Sequence, residues 1–164
     1  MKSGPVFLPN WTPRSAPNAR LHTSEQRRVV LVISPFEEDP VVLERILDGL
    51  HWEAQSARSC REALAMLHDR PAPILVSDCN LPDGNWKDIL NAIALAADAP
   101  HLIVTSRLAD EYLWSEVLNL GGYDVLARPF DAKEVARVVS LAWRHWKNEG
   151  ARAGSGAAKF KAAV

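Results

Sequence analysis

Short apolar runs alternate with amphipathic stripes along most of this chain. Val29-Val30-Leu31-Val32-Ile33 is the first run, β-branched and apolar throughout, and reads as a strand buried on both faces. Ser34-Pro35 stops it, because proline cannot continue a central ladder. Asp39 then reads as an N-cap and Pro40 as a first helical residue. Leu43, Ile46, Leu47 and Leu50 follow at the spacing of a helical face. Trp52 to Ser56 is a short second strand. Ser59 and Glu62 have capping-box spacing ahead of a stripe at Cys60, Ala63, Leu64 and Leu67.

The third run, Ile74-Leu75-Val76-Ser77-Asp78, ends abruptly in a carboxylate, and a Leu-Pro-Asp-Gly turn follows at once. Trp86, Ile89, Leu90, Ile93, Ala94 and Ala97 predict a third helix that Pro100 closes. His101 to Thr105 is a fourth strand. A helix from about Asp110 to Asn119 ends on Gly121-Gly122, and Val125-Leu126-Ala127 is a fifth strand. Asp131 and Glu134 form an acidic cap for a last helix carrying Val135, Val138, Val139, Ala142, Trp143 and Trp146. Five strands alternating with five helices predict an α/β fold: a flavodoxin-like, doubly wound parallel sheet of order 2-1-3-4-5. In that order Ser34, Asp78, Thr105 and Arg128 converge at the carboxyl edge of the sheet, where the chemistry of open α/β folds sits.

The flanks lack such patterning. Residues 1–27 carry Pro5, Pro9, Pro13 and Pro17 and read as a flexible arm, with Trp11 its one hint of a docking contact. Residues 149–164 turn to Gly, Ala and Lys and read as a flexible tail, which leaves 28–148 as the folded domain. A length of 164 residues, 48% of them hydrophobic and 24% charged, suits one globular domain. Net charge is −1, which gives no general electrostatic case for nucleic acid or membrane binding. No apolar run spans a bilayer and no signal peptide opens the chain, so a cytoplasmic location is expected. Cys60 and Cys79 are too few for a disulfide framework and read as small buried hydrophobes. Gly-x-Gly-x-x-Gly, the P-loop and Gly-x-Ser-x-Gly are all absent, and the acidic Ser34 to Glu38 segment disfavours a flavin phosphate. His22, His51, His68, His101 and His145 lie singly and read as surface or capping residues.

Three pieces carry a family resemblance. They are Asp78 with Leu81-Pro82 and Gly84, Thr105-Ser106 closing the fourth strand, and the run from Gly121 to Phe130. Together they make residues 28–148 resemble a response-regulator receiver domain of two-component signalling. The resemblance implies a phosphorelay protein and no enzyme of independent turnover. Its phosphoacceptor is Asp78, fed by a sensor histidine kinase or a phosphotransfer protein, with Thr105 and Arg128 contacting the phosphoryl group. It also implies Mg²⁺ held by two adjacent carboxylates after the first strand, where this chain has Ser34 and Pro35. The remaining candidate ligands are Asp78, the Asn80 backbone, Glu37 and Glu38; these two glutamates and Asp39 lie close enough to swing back, but all three read more simply as negative charge at a helix N-terminus. Arg128 stands where the family has lysine, and Val125 stands at its aromatic switch position, with Tyr123 nearby. The face of the fourth helix, fifth strand and fifth helix, marked by Trp114, Tyr123 and Leu141, is the expected surface for a homodimer or partner. A second reading keeps the same fold without phosphotransfer: a pseudo-receiver acting as a constitutive docking module.

Overall fold

The computed structural model describes residues 28–161, with side chains described through Ala151. The readings of residues 1–27 as an arm, of Trp11 within it and of residues 162–164 lie outside the described residues. Five strands form one parallel sheet: β1 (Val29–Ile33), β2 (Glu53–Ala57), β3 (Ile74–Asp78), β6 (His101–Ser106) and β7 (Asp124–Ala127). Between β3 and the third helix lies a short antiparallel ribbon, β4 (Asn80–Leu81) and β5 (Gly84–Asn85). The sheet order is β2-β1-β3-β6-β7, which is the expected 2-1-3-4-5 arrangement once the ribbon is set apart.

Period-two alternation divides the sheet into two cores. Leu31, Leu75, Leu102 and Val125 face helices α2 (Cys60–Asp69), α3 (Trp86–Ile93) and α4 (Glu111–Leu120). Val32, Val76, Ile103 and Leu126 face α1 (Glu38–Asp48) and α5 (Ala132–Lys161). β1 and β3 are buried along their whole length, as unbroken apolar runs require. Each fully buried Leu or Ile contributes about 1.5–3 kcal/mol, so these two layers supply most of the driving force.

Helix ends follow local chemistry with informative exceptions. Ser59 caps α2 by accepting from Glu62 N at 3.1 Å, while the Glu62 carboxylate accepts from Arg58 N, one residue before the expected partner. Asn85 and Asp88 make a complete capping box for α3, whose regular part stops at Ile93, short of Ala97. Asp110 caps α4, and Gly121 ends it with φ +102°, the left-handed conformation that a residue without a Cβ adopts freely.

Two expectations at helix ends are corrected. Asp39 is not the N-cap of α1; the helix starts at Glu38, and Glu37 precedes it without a side-chain cap. The Asp39 carboxylate is drawn instead into buried tertiary contacts. Residues 149–161, read as a flexible tail, are helical, since α5 continues through Lys161. An alanine-rich stretch extends a helix that is already nucleated at no nucleation cost, even with three glycines in it.

Candidate functional site

The alternation that builds the α1/α5 core also builds the site. One step of two residues carries Val32 to Ser34, Val76 to Asp78, Ile103 to Thr105 and Leu126 to Arg128. Four polar side chains therefore surface on one face at the carboxyl edge of adjacent strands. Asp78 and Thr105 are direct partners in the β3–β6 register. Cys79 N donates to Thr105 O at 3.1 Å and Arg128 N to Ser106 O at 3.1 Å, which carries the sheet one residue past each strand end. Ser34, Asp78 and Thr105 are all buried.

The Arg128 guanidinium is the hub. Its Nη2 donates to Asp78 Oδ1, to Thr105 Oγ1 at 3.1 Å, and pairs with Asp39 Oδ2 at 3.0 Å. The side chain is only 9% exposed, and its Nε has no hydrogen-bond partner among the described residues. Ser34 Oγ donates to the same Asp39 oxygen at 2.7 Å and accepts from Phe36 N at 3.1 Å. The Phe36 ring lies 5.0 Å from the centre of the guanidinium and 5.9 Å from that of Arg107. A cleft of about 480 Å³ opens beside this cluster, lined among others by Phe36, Asp78, Asn80, Ser106, Arg107 and Arg128.

The structure thus brings together Ser34, Asp78, Thr105 and Arg128, as the strand pattern predicts. Glu37 and Glu38 do not join them. Glu37 pairs with Arg58 at 2.7 Å on the surface, and both glutamates are exposed. The carboxylate that does turn in is Asp39, which along the sequence reads as a cap and, with the two glutamates, as helix-start charge within reach of the site. Burial of a carboxylate in a first helical turn has no local signal; only its distance from a cation on another strand decides it. Asn80 is exposed on the ribbon and lines the cleft. Cys60 is buried, with its thiol pushed up to about 12 by burial and by Asp83. Cys79 is half-buried beside Asp78; burial raises its thiol too, so neither cysteine is a ready nucleophile.

The switch-region residues fall elsewhere. Val125 is buried against the α2/α3/α4 core. Tyr123 packs on His101, with ring centroids 5.0 Å apart, and its hydroxyl is 2.7 Å from His145 Nδ1 on α5. Trp114 is half exposed on α4, and its indole N–H donates to Asp124 at 3.2 Å. Leu141 is half-buried on α5. His101 is not a surface residue: its side chain is 18% exposed, with Nε2 3.4 Å from a Glu149 carboxylate oxygen.

The family model described as "Response regulator receiver domain" matches residues 30–140. The chain belongs to the response-regulator receiver domain family. Among curated relatives of this receiver, the response regulator protein PilR of Pseudomonas aeruginosa is 24% identical over 118 residues. That match takes in 72% of this chain and 26% of PilR, so the receiver spans about a quarter of that relative's length. Among solved structures, the signal receiver domain of an HD domain-containing protein from Pseudomonas fluorescens superposes with a TM-score of 0.71 at 24% identity. It covers 81% of this chain and 98% of the other. The beryllofluoride-activated NtrC4 receiver domain dimer superposes at 0.67 with 22% identity, over 73% of this chain and 98% of the other. No helix among the described residues is long and apolar enough to cross a membrane.

Proposed function

We propose that this receiver accepts a phosphoryl group on Asp78 from the phosphohistidine of a sensor kinase or phosphotransfer protein, and signals through protein contacts. One observation carries the reading: among the described residues Asp78 is the single carboxylate lining the open cleft, with Thr105 beside it in register and Arg128 bonded to both. In the transfer, an Asp78 oxygen attacks phosphorus and the P–O bond forms as the P–N bond breaks. The imidazole leaves and takes up a proton. Such a step needs positioning and cationic donors far more than covalent machinery, and Arg128 and Thr105 supply donors at the acceptor.

A second reading has its own observation. Arg128 already pairs with unmodified Asp78, which favours a pseudo-receiver that docks constitutively. Incubation with a small phosphodonor, followed by intact-mass measurement, separates the two. Addition of one phosphoryl group, abolished by Asp78→Ala, supports the acceptor; no addition with any donor overturns it.

The proposed signalling surface is the face of α4, β7 and α5. Tyr112 and Trp114 on α4 are 79% and 49% exposed, unusual for large rings without a partner. A second copy of the receiver docked there would cover them. Sedimentation of the full chain tests this: Trp114→Ala with Leu141→Asp should shift any self-association toward monomer, and an unchanged distribution rejects this face.

A further inference from the structure

We infer that Arg128, anchored by Asp39, is the resident cation of the Asp78 site and takes the place of the divalent metal that the family implies; the inference rests on reading Asp78 as the acceptor. The residues present do not fit Mg²⁺. That ion wants an octahedron of oxygens, usually one or two carboxylates with several waters. β1 delivers a serine and a proline to the site where carboxylates are needed, and Glu37 is spent on Arg58. Among the described residues, no three His, Cys, Asp or Glu side chains are grouped to hold a metal.

The two carboxylates that do reach the site are both bonded to one guanidinium nitrogen. Seating a metal between Asp39 and Asp78 would displace that nitrogen. Arg128 has no other acidic partner among the described residues, so a buried guanidinium would be left uncompensated, a costly state. Ser34 turns from a missing ligand into a positioning residue: its hydroxyl fixes Asp39, and Asp39 holds the guanidinium. Asp39 remains an anchor for Arg128 if Asp78 becomes an acyl phosphate. Arg128 lines the cleft, and a guanidinium presents its donors in a planar fork that matches phosphoryl oxygens. Two departures from the family pattern, at Ser34 and at Arg128, therefore form one arrangement through the buried Asp39.

Calorimetric titration of the full chain with Mg²⁺ alone tests the cation directly. The wild-type chain should show no saturable binding. Saturable binding that Asp78→Asn removes overturns the inference. Arg128→Met, which frees both carboxylates, should acquire Mg²⁺ binding that a second change, Asp39→Asn, removes. Arg128→Gln replaces it if melting shows that the methionine variant does not fold. In a second arm, acetyl phosphate is supplied with Mg²⁺ or with EDTA and the mass of the chain is followed. Equal modification of Asp78 in both is expected; a loss of about tenfold or more in EDTA, the mark of a metal that carries the charge, overturns the inference. No modification in either condition overturns the acceptor reading instead, and the titration still decides the cation.

Discussion

Asp83 caps α2 from the far side of the chain. Its Oδ1 accepts from Cys60 N at 2.8 Å and its Oδ2 from Arg61 N at 2.9 Å, so the turn that follows β3 is tied to the start of a helix more than twenty residues earlier. Burial acts to raise the Asp83 carboxyl, but these backbone N–H donors outweigh it and hold it below the ordinary 3.8. Asp83→Ala should cost about 1 kcal/mol, the worth of a helix cap. In the wild type this contribution is present above pH 3.8 and lost as pH falls through the depressed folded value, since the unfolded state binds the proton more readily. Urea denaturation of both chains against pH checks the size and the sign.

Gly84, the next residue, is closed in. A Cβ there would stand 2.5 Å from Asp88 Oδ2 and 3.2 Å from Cys60 Sγ. Asp88 accepts from Asn85 N at 2.9 Å to complete the α3 capping box, so Gly84→Ala should push it off that donor. A loss of about 1–3 kcal/mol is expected, and Asp88→Ala in the same background should recover part of it. Thermal melts of the two single variants and the double variant decide.

His101 gives the fold a pH response. Burial lowers its imidazole below the usual 6.5, partly opposed by Glu149 and reinforced by His145. The folded state therefore binds fewer protons than the unfolded one, and stability falls as pH drops through 6.5, levelling off below the depressed folded value. His101→Gln should flatten the stability profile between pH 7 and pH 5, roughly the range in which histidine titrates.

Removal of the hub should be expensive. Arg128→Met leaves Asp39 and Asp78 buried without their cation, and breaking a buried pair in this way costs about 3–5 kcal/mol. Adding Asp39→Leu removes one of the stranded charges, so the double variant should be more stable than the sum of the single losses. Denaturant unfolding of the four chains of this cycle gives the coupling energy.

Much of this was open to reading along the chain. The runs at Val29–Ile33 and Ile74–Asp78, and the stripes between them, specify strands and helices because burial of a period-two or a 3.6-period face is a local property. Right-handed crossovers then leave one usual strand order, and period-two alternation brings Ser34, Asp78, Thr105 and Arg128 to one face. The C-terminal end of α5 was misread because helix continuation needs propensity and a nucleus, not an apolar stripe. His101 was misread because its neighbours Tyr123 and Glu149 come from other elements.

By itself, then, the amino-acid order determined the sheet, its order and the place of the Asp78 carboxylate, since each follows from local periodicity and chain chirality. Only the tertiary structure decided which acid completes the site. Glu37, Glu38 and Asp39 are all acids at a helix start, and no pattern in the sequence says which of them turns into the site. The turn of α1 points Asp39 at Ser34 and Arg128 and leaves the two glutamates on the surface. A charge buried against its partner is a long-range relation, set by how α1 lies on the sheet rather than by the residues beside it.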